Sequence, residues 1–260
     1  MIWRGLLAAL LLSLGAPAEA QIQPSQFSGF AFHQHPGARL PLDAVLRDES
    51  GRDVRLGSYF GERPTVLVLE YLRCPNLCGL VLGSTVAQLK EQKLQPGRDV
   101  QFVAISIDPR EATADASAAS ARYRASFGAG SGARLHFLTG DPGEVRRIAN
   151  AVGFPYRYDQ ALDQYAHPAG FIVATPAGRI SRYFLGFGSN SSDLRNAIAT
   201  ADKGQIEPPA YPLLCLCLGY DPQPGTVEAA VLGIVRWLSL AIAAACIAMV
   251  ALLARRRRAA

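Results

Sequence analysis

The sequence predicts an α/β fold, a mixed sheet flanked by helices, followed by one C-terminal transmembrane helix. Three observations predict it. Apolar, β-branched runs at 65–72 (TVLVLEYL) and 100–107 (VQFVAISI) alternate with segments of helical spacing, the pattern of a sheet covered on both faces. Residues 237–254 (WLSLAIAAACIAMVALLA) carry no charge and approach the roughly 20 apolar residues that cross a bilayer. Across 260 residues, 50% hydrophobic and 18% charged, the composition excludes a disordered or collagen-like chain.

The elements follow in order. Residues 1–20 read as a secretory signal, with Arg4 ahead of the apolar run Leu6 to Leu14 and a small-x-small site at Ala18-Glu19-Ala20. An uncleaved N-terminal anchor is the alternative. Residues 21–38, rich in Gln, Gly and Pro, form an irregular lead-in. Arg39 to Leu46 and Asp53 to Leu56 flank Asp48-Glu49-Ser50-Gly51-Arg52 and predict a hairpin. Thr65 to Leu72 is a buried strand, Gly79 to Lys93 a helix, and Val100 to Ile107 a second buried strand. Glu111 to Phe127 is an Ala-rich helix ending at Gly128, and Leu135 to Leu138 is a short strand. Pro142 to Val152 is a helix with Asp141 as N-cap and proline at its first position. Gly170 to Ala174 and Arg179 to Leu185 flank the turn Thr175-Pro176-Ala177-Gly178. Ser191 to Ala201 is the last helix of a domain at 39–202. Strand, loop and helix around Cys74 are the arrangement of a thioredoxin-like core.

Residues 203–226 are a Pro-rich connector carrying Cys215 and Cys217, and 227–254 are the membrane helix, interrupted by Arg236 near its outer end. Arg255 to Arg258 open a basic tail, 255–260, which holds that end in the cytoplasm. The expected location is the inner membrane, single-pass, with the body in the periplasm. This topology accounts for the net charge of +5. Setting aside Arg4, Arg236, Arg255 to Arg258, Glu19 and Glu228 leaves 20 basic and 19 acidic residues, which is no footprint for nucleic acid.

The chemistry centres on Tyr71-Leu72-Arg73-Cys74-Pro75-Asn76-Leu77-Cys78-Gly79. Cys74 and Cys78 sit between a buried strand and a helix N-terminus, which favours a thiolate. Their spacing lets both sulfurs face one direction, for a disulfide or a shared metal. Thiolates select soft metals: Cu(I), or zinc if the number of ligands allows. Two sulfurs need a third ligand, and His167, just before a predicted strand, is the candidate. Two cysteines and one imidazole suit trigonal Cu(I) and leave room for a partner to take the metal. A plain structural disulfide remains the competing reading outside the cytoplasm. His136 reads as a strand residue without a site role, His33 and His35 as solvated residues of the lead-in. Asp108 reads as a cap of the following helix.

These residues resemble the SCO/SenC family of copper-handling proteins that assist cytochrome c oxidase assembly. The likeness rests on Arg73-Cys74-Pro75-Asn76-Leu77-Cys78, Ile105-Ser106-Ile107-Asp108-Pro109, Phe137-Leu138-Thr139-Gly140 and Tyr165-Ala166-His167. It implies a thioredoxin-like fold with copper held by Cys74, Cys78 and His167. Many members carry an N-terminal anchor; this chain resembles the subgroup anchored at the C-terminus. Pro168 follows His167 where a small hydroxyl residue is commoner, and a cis bond before Pro168 would favour a redox role. Cys215 and Cys217 have a soft-metal spacing, for an accessory copper site or a pair without a role. Cys246 reads as a small apolar residue of the span.

The function expected is a membrane-anchored copper metallochaperone. Its partners would be cytochrome c oxidase subunit II, or a similar copper acceptor, and a thiol reductant. The alternative is a thiol–disulfide oxidoreductase using Cys74 and Cys78 as its redox pair.

Overall fold

The structure is a computed structural model, and it describes residues 31–73, 78–128, 132–186, 191–210 and 238, without the side chains of Cys78, Ser191 and Ser192. The signal, Cys74, the Cys78 side chain, Cys215, Cys217, Cys246, the charge-free span apart from residue 238, and Arg255 to Arg258 lie outside these. No helix among the described residues is long and apolar enough to cross a membrane. The chain divides into two units, 1–211 and 212–260; the first holds the sheet.

Among the described residues nine strands form: β1 Val45–Arg47, β2 Asp53–Arg55, β3 Thr65–Glu70, β4 Gln101–Ser106, β5 Leu135–Gly140, β6 Arg157–Asp159, β7 Gln164–Ala166, β8 Gly170–Ala174 and β9 Ile180–Leu185. The helices are α1 Cys78–Glu91, α2 Thr113–Ser126, α3 Pro142–Val152 and α4 Ser191–Asp202. Seven strands make one sheet in the order β2-β1-β5-β4-β3-β8-β9, while β6 and β7 form a separate hairpin. The pairs β3–β4 and β4–β5 are parallel, and β8 runs antiparallel beside β3. This is the mixed sheet the alternating pattern predicts.

Side chains alternate across β3 as the pleat requires. Val66 and Val68 join Val81, Leu82, Val86 and Leu89 of α1, Ala116 and Ala119 of α2, and Leu194, Ala197 and Ile198 of α4. Leu67 and Leu69 face the other way, onto Val145, Ile148, Ala149 and Val152 of α3 and onto Leu40, Leu46 and Leu56. All six residues of β3 are buried. Each aliphatic side chain buried this way contributes about 1.5–3 kcal/mol, so both faces of the central strand hold the fold.

The hairpin predicted around Asp48 forms as β1 and β2. Ser50 and Arg52 donate to the buried Asp48 carboxyl. Burial alone would raise that group, but these bonds outweigh it and hold it well below the usual carboxylate range. Helix α3 begins and ends where its capping residues place it: Asp141 accepts from the Gly143 amide at 2.8 Å, and Gly153 closes it at φ +67°. The described part of the lead-in has no strand but is anchored. The His33 amide donates to the Gly153 carbonyl at 2.8 Å, and Phe32 meets Phe154 and Tyr183 edge-on.

Two expectations are corrected. Helix α2 starts at Thr113 rather than Glu111, with Asp115 reaching back to the Ala112 amide at 2.8 Å. Asp108 does not cap it: its carboxyl accepts from the Arg110 amide and guanidinium.

Candidate metal centre

The sheet register explains why His167 arrives where it does. Antiparallel pairing runs from Thr65 opposite Ala174 to Leu67 opposite Ile172. His167 enters β8 beside the outgoing end of β3, from which the chain runs on to Cys74. Its imidazole stands edge-on to the Tyr71 ring, centroids 5.7 Å apart, and stacks on Phe154 at 5.5 Å. The hairpin β6–β7 delivers it, and the sequence reading missed that hairpin. Tyr165 on β7 touches the rings of Tyr71, Tyr156 and Tyr158.

The imidazole environment sets its chemistry. Burial pushes its pKa below the ordinary value, and a hydrogen bond to the Pro168 carbonyl offsets part of that shift. The ring is therefore neutral at neutral pH. Nδ1 lies 2.9 Å from the Pro168 carbonyl oxygen. A carbonyl only accepts, so Nδ1 carries the proton and Nε2 keeps its lone pair. A neutral imidazole with one nitrogen bonded to the backbone is the form that ligates metals. The bond from His167 to Pro168 is not cis; no peptide bond among the described residues is.

The approach to Cys74 is shaped by polar groups. Glu111, buried between β4 and α2, accepts from the amides of Leu72 at 2.8 Å and Arg73 at 2.6 Å. The Ser106 hydroxyl donates to it at 2.5 Å. Glu70 closes β3; its two carboxyl oxygens and the neighbouring Tyr71 hydroxyl are buried, and among the described residues none of the three has a hydrogen-bond partner in good geometry. Burial pushes the Glu70 carboxyl up to about 9, the Leu82 backbone offsetting part of the shift and nearby Glu111 adding repulsion, so it is uncharged at neutral pH. Nothing in the sequence reading singled out Glu70 or Glu111. Glu70 carried a readable signal, an acidic residue inside an apolar strand.

Among the described residues no three His, Cys, Asp or Glu side chains form a metal cluster. The helix α1 begins at Cys78, but that side chain and Cys74 lie outside the description. His33 and His35 are exposed. His136 lies on β5 with its ring 4.7 Å from Tyr59 and Nδ1 3.4 Å from Glu49, away from His167 in the strand order.

Solved structures resemble this chain, and the first two that follow share its fold. A putative electron transfer protein from Aquifex aeolicus VF5 superposes with TM-score 0.57 at 21% identity, over 66% of this chain and 96% of that one. BsSco, a member of the Sco family of cytochrome c oxidase assembly proteins with an identified disulfide switch, superposes with TM-score 0.52 at 18% identity, over 65% and 97%. Arabidopsis thaliana ScoI, solved with copper bound, matches with TM-score 0.49 at 19% identity, over 66% and 98%. No curated protein matches the chain. The SCO1/SenC family model matches residues 42–201, the whole sheet with its four helices, and the chain belongs to that family.

Proposed function

We propose that this protein is a membrane-anchored copper metallochaperone of cytochrome c oxidase assembly, binding Cu(I) through Cys74, Cys78 and His167. The observation that carries the reading is the neutral imidazole of His167 held against Tyr71, three residues ahead of Cys74. The proton on Nδ1 leaves Nε2 as the one nitrogen able to ligate. Cys78 is the first residue of α1, and a helix N-terminus in general favours thiolate over thiol. Thiolate, thiolate and imidazole form a soft donor set suited to Cu(I).

The copper is cargo. With three protein ligands, an acceptor thiolate or imidazole adds before a donor leaves, so the ion passes by ligand exchange without release into water. The acceptor proposed is subunit II of the oxidase or a similar copper site. Only the reduced pair binds, so a thiol reductant gates loading. In this reading the signal is removed, residues 227–254 span the inner membrane and the body lies in the periplasm. Cys215 and Cys217 are at most an accessory site.

Anaerobic Cu(I) titration against a competing chelator tests the proposal in the full chain carrying Cys215→Ser and Cys217→Ser. Cys74→Ser or Cys78→Ser abolishes stoichiometric binding, and His167→Ala weakens it. Unchanged affinity in all three variants rejects the site. Disulfide-reductase turnover untouched by His167→Ala, with feeble copper binding, would favour the oxidoreductase instead.

A further inference from the structure

The connection from β4 to α2 has no part in that mechanism, yet two of its adjacent residues reach toward opposite arms of the site. Arg110 turns to the His167 arm. Its Nη1 donates to the Asp163 carboxyl at 2.9 Å, its guanidinium lies 4.9 Å from the centre of the Tyr158 ring, and its Nε and Nη2 hold Asp108 at 3.0 and 2.8 Å. Asp163 is the residue before β7, four positions ahead of His167. It has φ +48°, a left-handed conformation that costs energy and persists where surrounding bonds enforce it. Arg110 and the Tyr158 hydroxyl supply those bonds.

Glu111 turns to the cysteine arm. Two successive amides, Leu72 and Arg73, converge on its carboxyl oxygens, making a backbone nest around a buried side chain. Arg73 is the residue before Cys74. The two halves share one hydroxyl: Ser106 Oγ donates to Glu111 at 2.5 Å and accepts from the Asp108 amide at 3.1 Å. A buried group with three donors is fixed in place, because displacing it strands every partner.

We propose that Arg110 and Glu111 are positioning residues, a yoke between β4 and α2 that fixes the His167 arm through Asp163 and the Cys74 arm through the Leu72 and Arg73 amides. The proposal rests on the copper site above. It makes the two residues separable: Arg110 acts on binding only through His167, whereas Glu111 acts through the cysteines.

The test is the Cu(I) competition titration of the full chain lacking Cys215 and Cys217, in two backgrounds, with thermal midpoints recorded. Arg110→Ala lowers affinity about tenfold, the low end for a supporting residue, when His167 is present and leaves it unchanged in the His167→Ala chain. Glu111→Gln, which keeps shape but sets an NH2 against a backbone N–H, lowers affinity about 10–100-fold in both backgrounds. An equal loss from Arg110→Ala in both backgrounds marks general destabilisation and overturns the yoke, as does native affinity in either variant. Should Glu111→Gln fail to fold, Glu111→Asp, which keeps the charge but draws the carboxyl back from the Leu72 and Arg73 amides, takes its place with the same expectation. Should His167→Ala alone leave affinity unchanged, the copper site fails rather than the yoke. The alkylation rate of the reduced Cys74–Cys78 pair then decides: a change with Glu111→Gln and none with Arg110→Ala supports the yoke, and an unchanged rate in both overturns it.

Discussion

The imidazole of His167 meets the ring of Tyr71 edge-on, 5.7 Å between centroids at 86°, so the residue leading toward the cysteine motif also walls the histidine. Tyr71→Ala removes that wall, and Cu(I) affinity is expected to fall about tenfold, as for other supporting residues of metal ligands. Tyr71→Phe keeps the ring and discards a buried hydroxyl that has no partner in good geometry among the described residues. It should bind copper as the native chain does and be as stable or more so, by up to about 1 kcal/mol. Chelator competition beside thermal melts checks both.

Glu70 predicts a pH dependence of stability. Its carboxyl, raised in the folded chain to about 9 from 4.5, binds a proton more tightly folded than unfolded. Its contribution is therefore complete below about 4.5, the unfolded value, and is lost as pH rises toward 9. Between pH 5 and 8 the slope from this one group approaches about 1.4 kcal/mol per pH unit. Glu70→Gln removes the titration, so the stability difference in favour of the variant should widen with pH across that window. Urea unfolding at several pH values measures it, and parallel pH profiles would contradict the assignment.

Gly153 is a second sensitive point. It closes α3 at φ +67°, and a Cβ there would lie 1.7 Å from the His33 carbonyl oxygen. Gly153→Ala is expected to cost at least about 1–2 kcal/mol from the left-handed conformation and the clash. The lead-in should lift away from Phe154, which stacks on His167. Faster hydrogen exchange at the His33 amide, which donates to Gly153, would report that release.

Much of this architecture is written in patterns a reader can see. The run from Thr65 to Leu72 is apolar because both faces of β3 are covered, and Asp141 and Pro142 mark the start of α3 by capping chemistry alone. The Thr175 to Gly178 turn closes β8 and β9 for the same reason. The hairpin β6–β7 was missed because each strand has three residues, too few for a period to register. Asp108 looked like a helix cap because its partner, Arg110, is two residues on and the carboxyl–guanidinium pairing is a tertiary choice. Glu111 was placed inside a helix because its partners are backbone amides, which leave no trace in side-chain identity. His167 was legible as a ligand candidate from position alone. Its tautomer was not, since that depends on the Pro168 carbonyl.

Topology can be tested independently of copper. With the body exported and Arg255 to Arg258 retained, a periplasmic reporter such as alkaline phosphatase fused after residue 210 should be active. The same reporter fused after Ala260 should be inactive. Activity at both positions would contradict a single C-terminal span.

The most direct test of the central claim is copper K-edge X-ray absorption on the Cu(I)-loaded full chain carrying Cys215→Ser and Cys217→Ser. The account predicts two sulfur scatterers and one nitrogen in the first coordination sphere, with the nitrogen lost in His167→Ala. A first sphere of sulfur alone, or a nitrogen that survives His167→Ala, would contradict it.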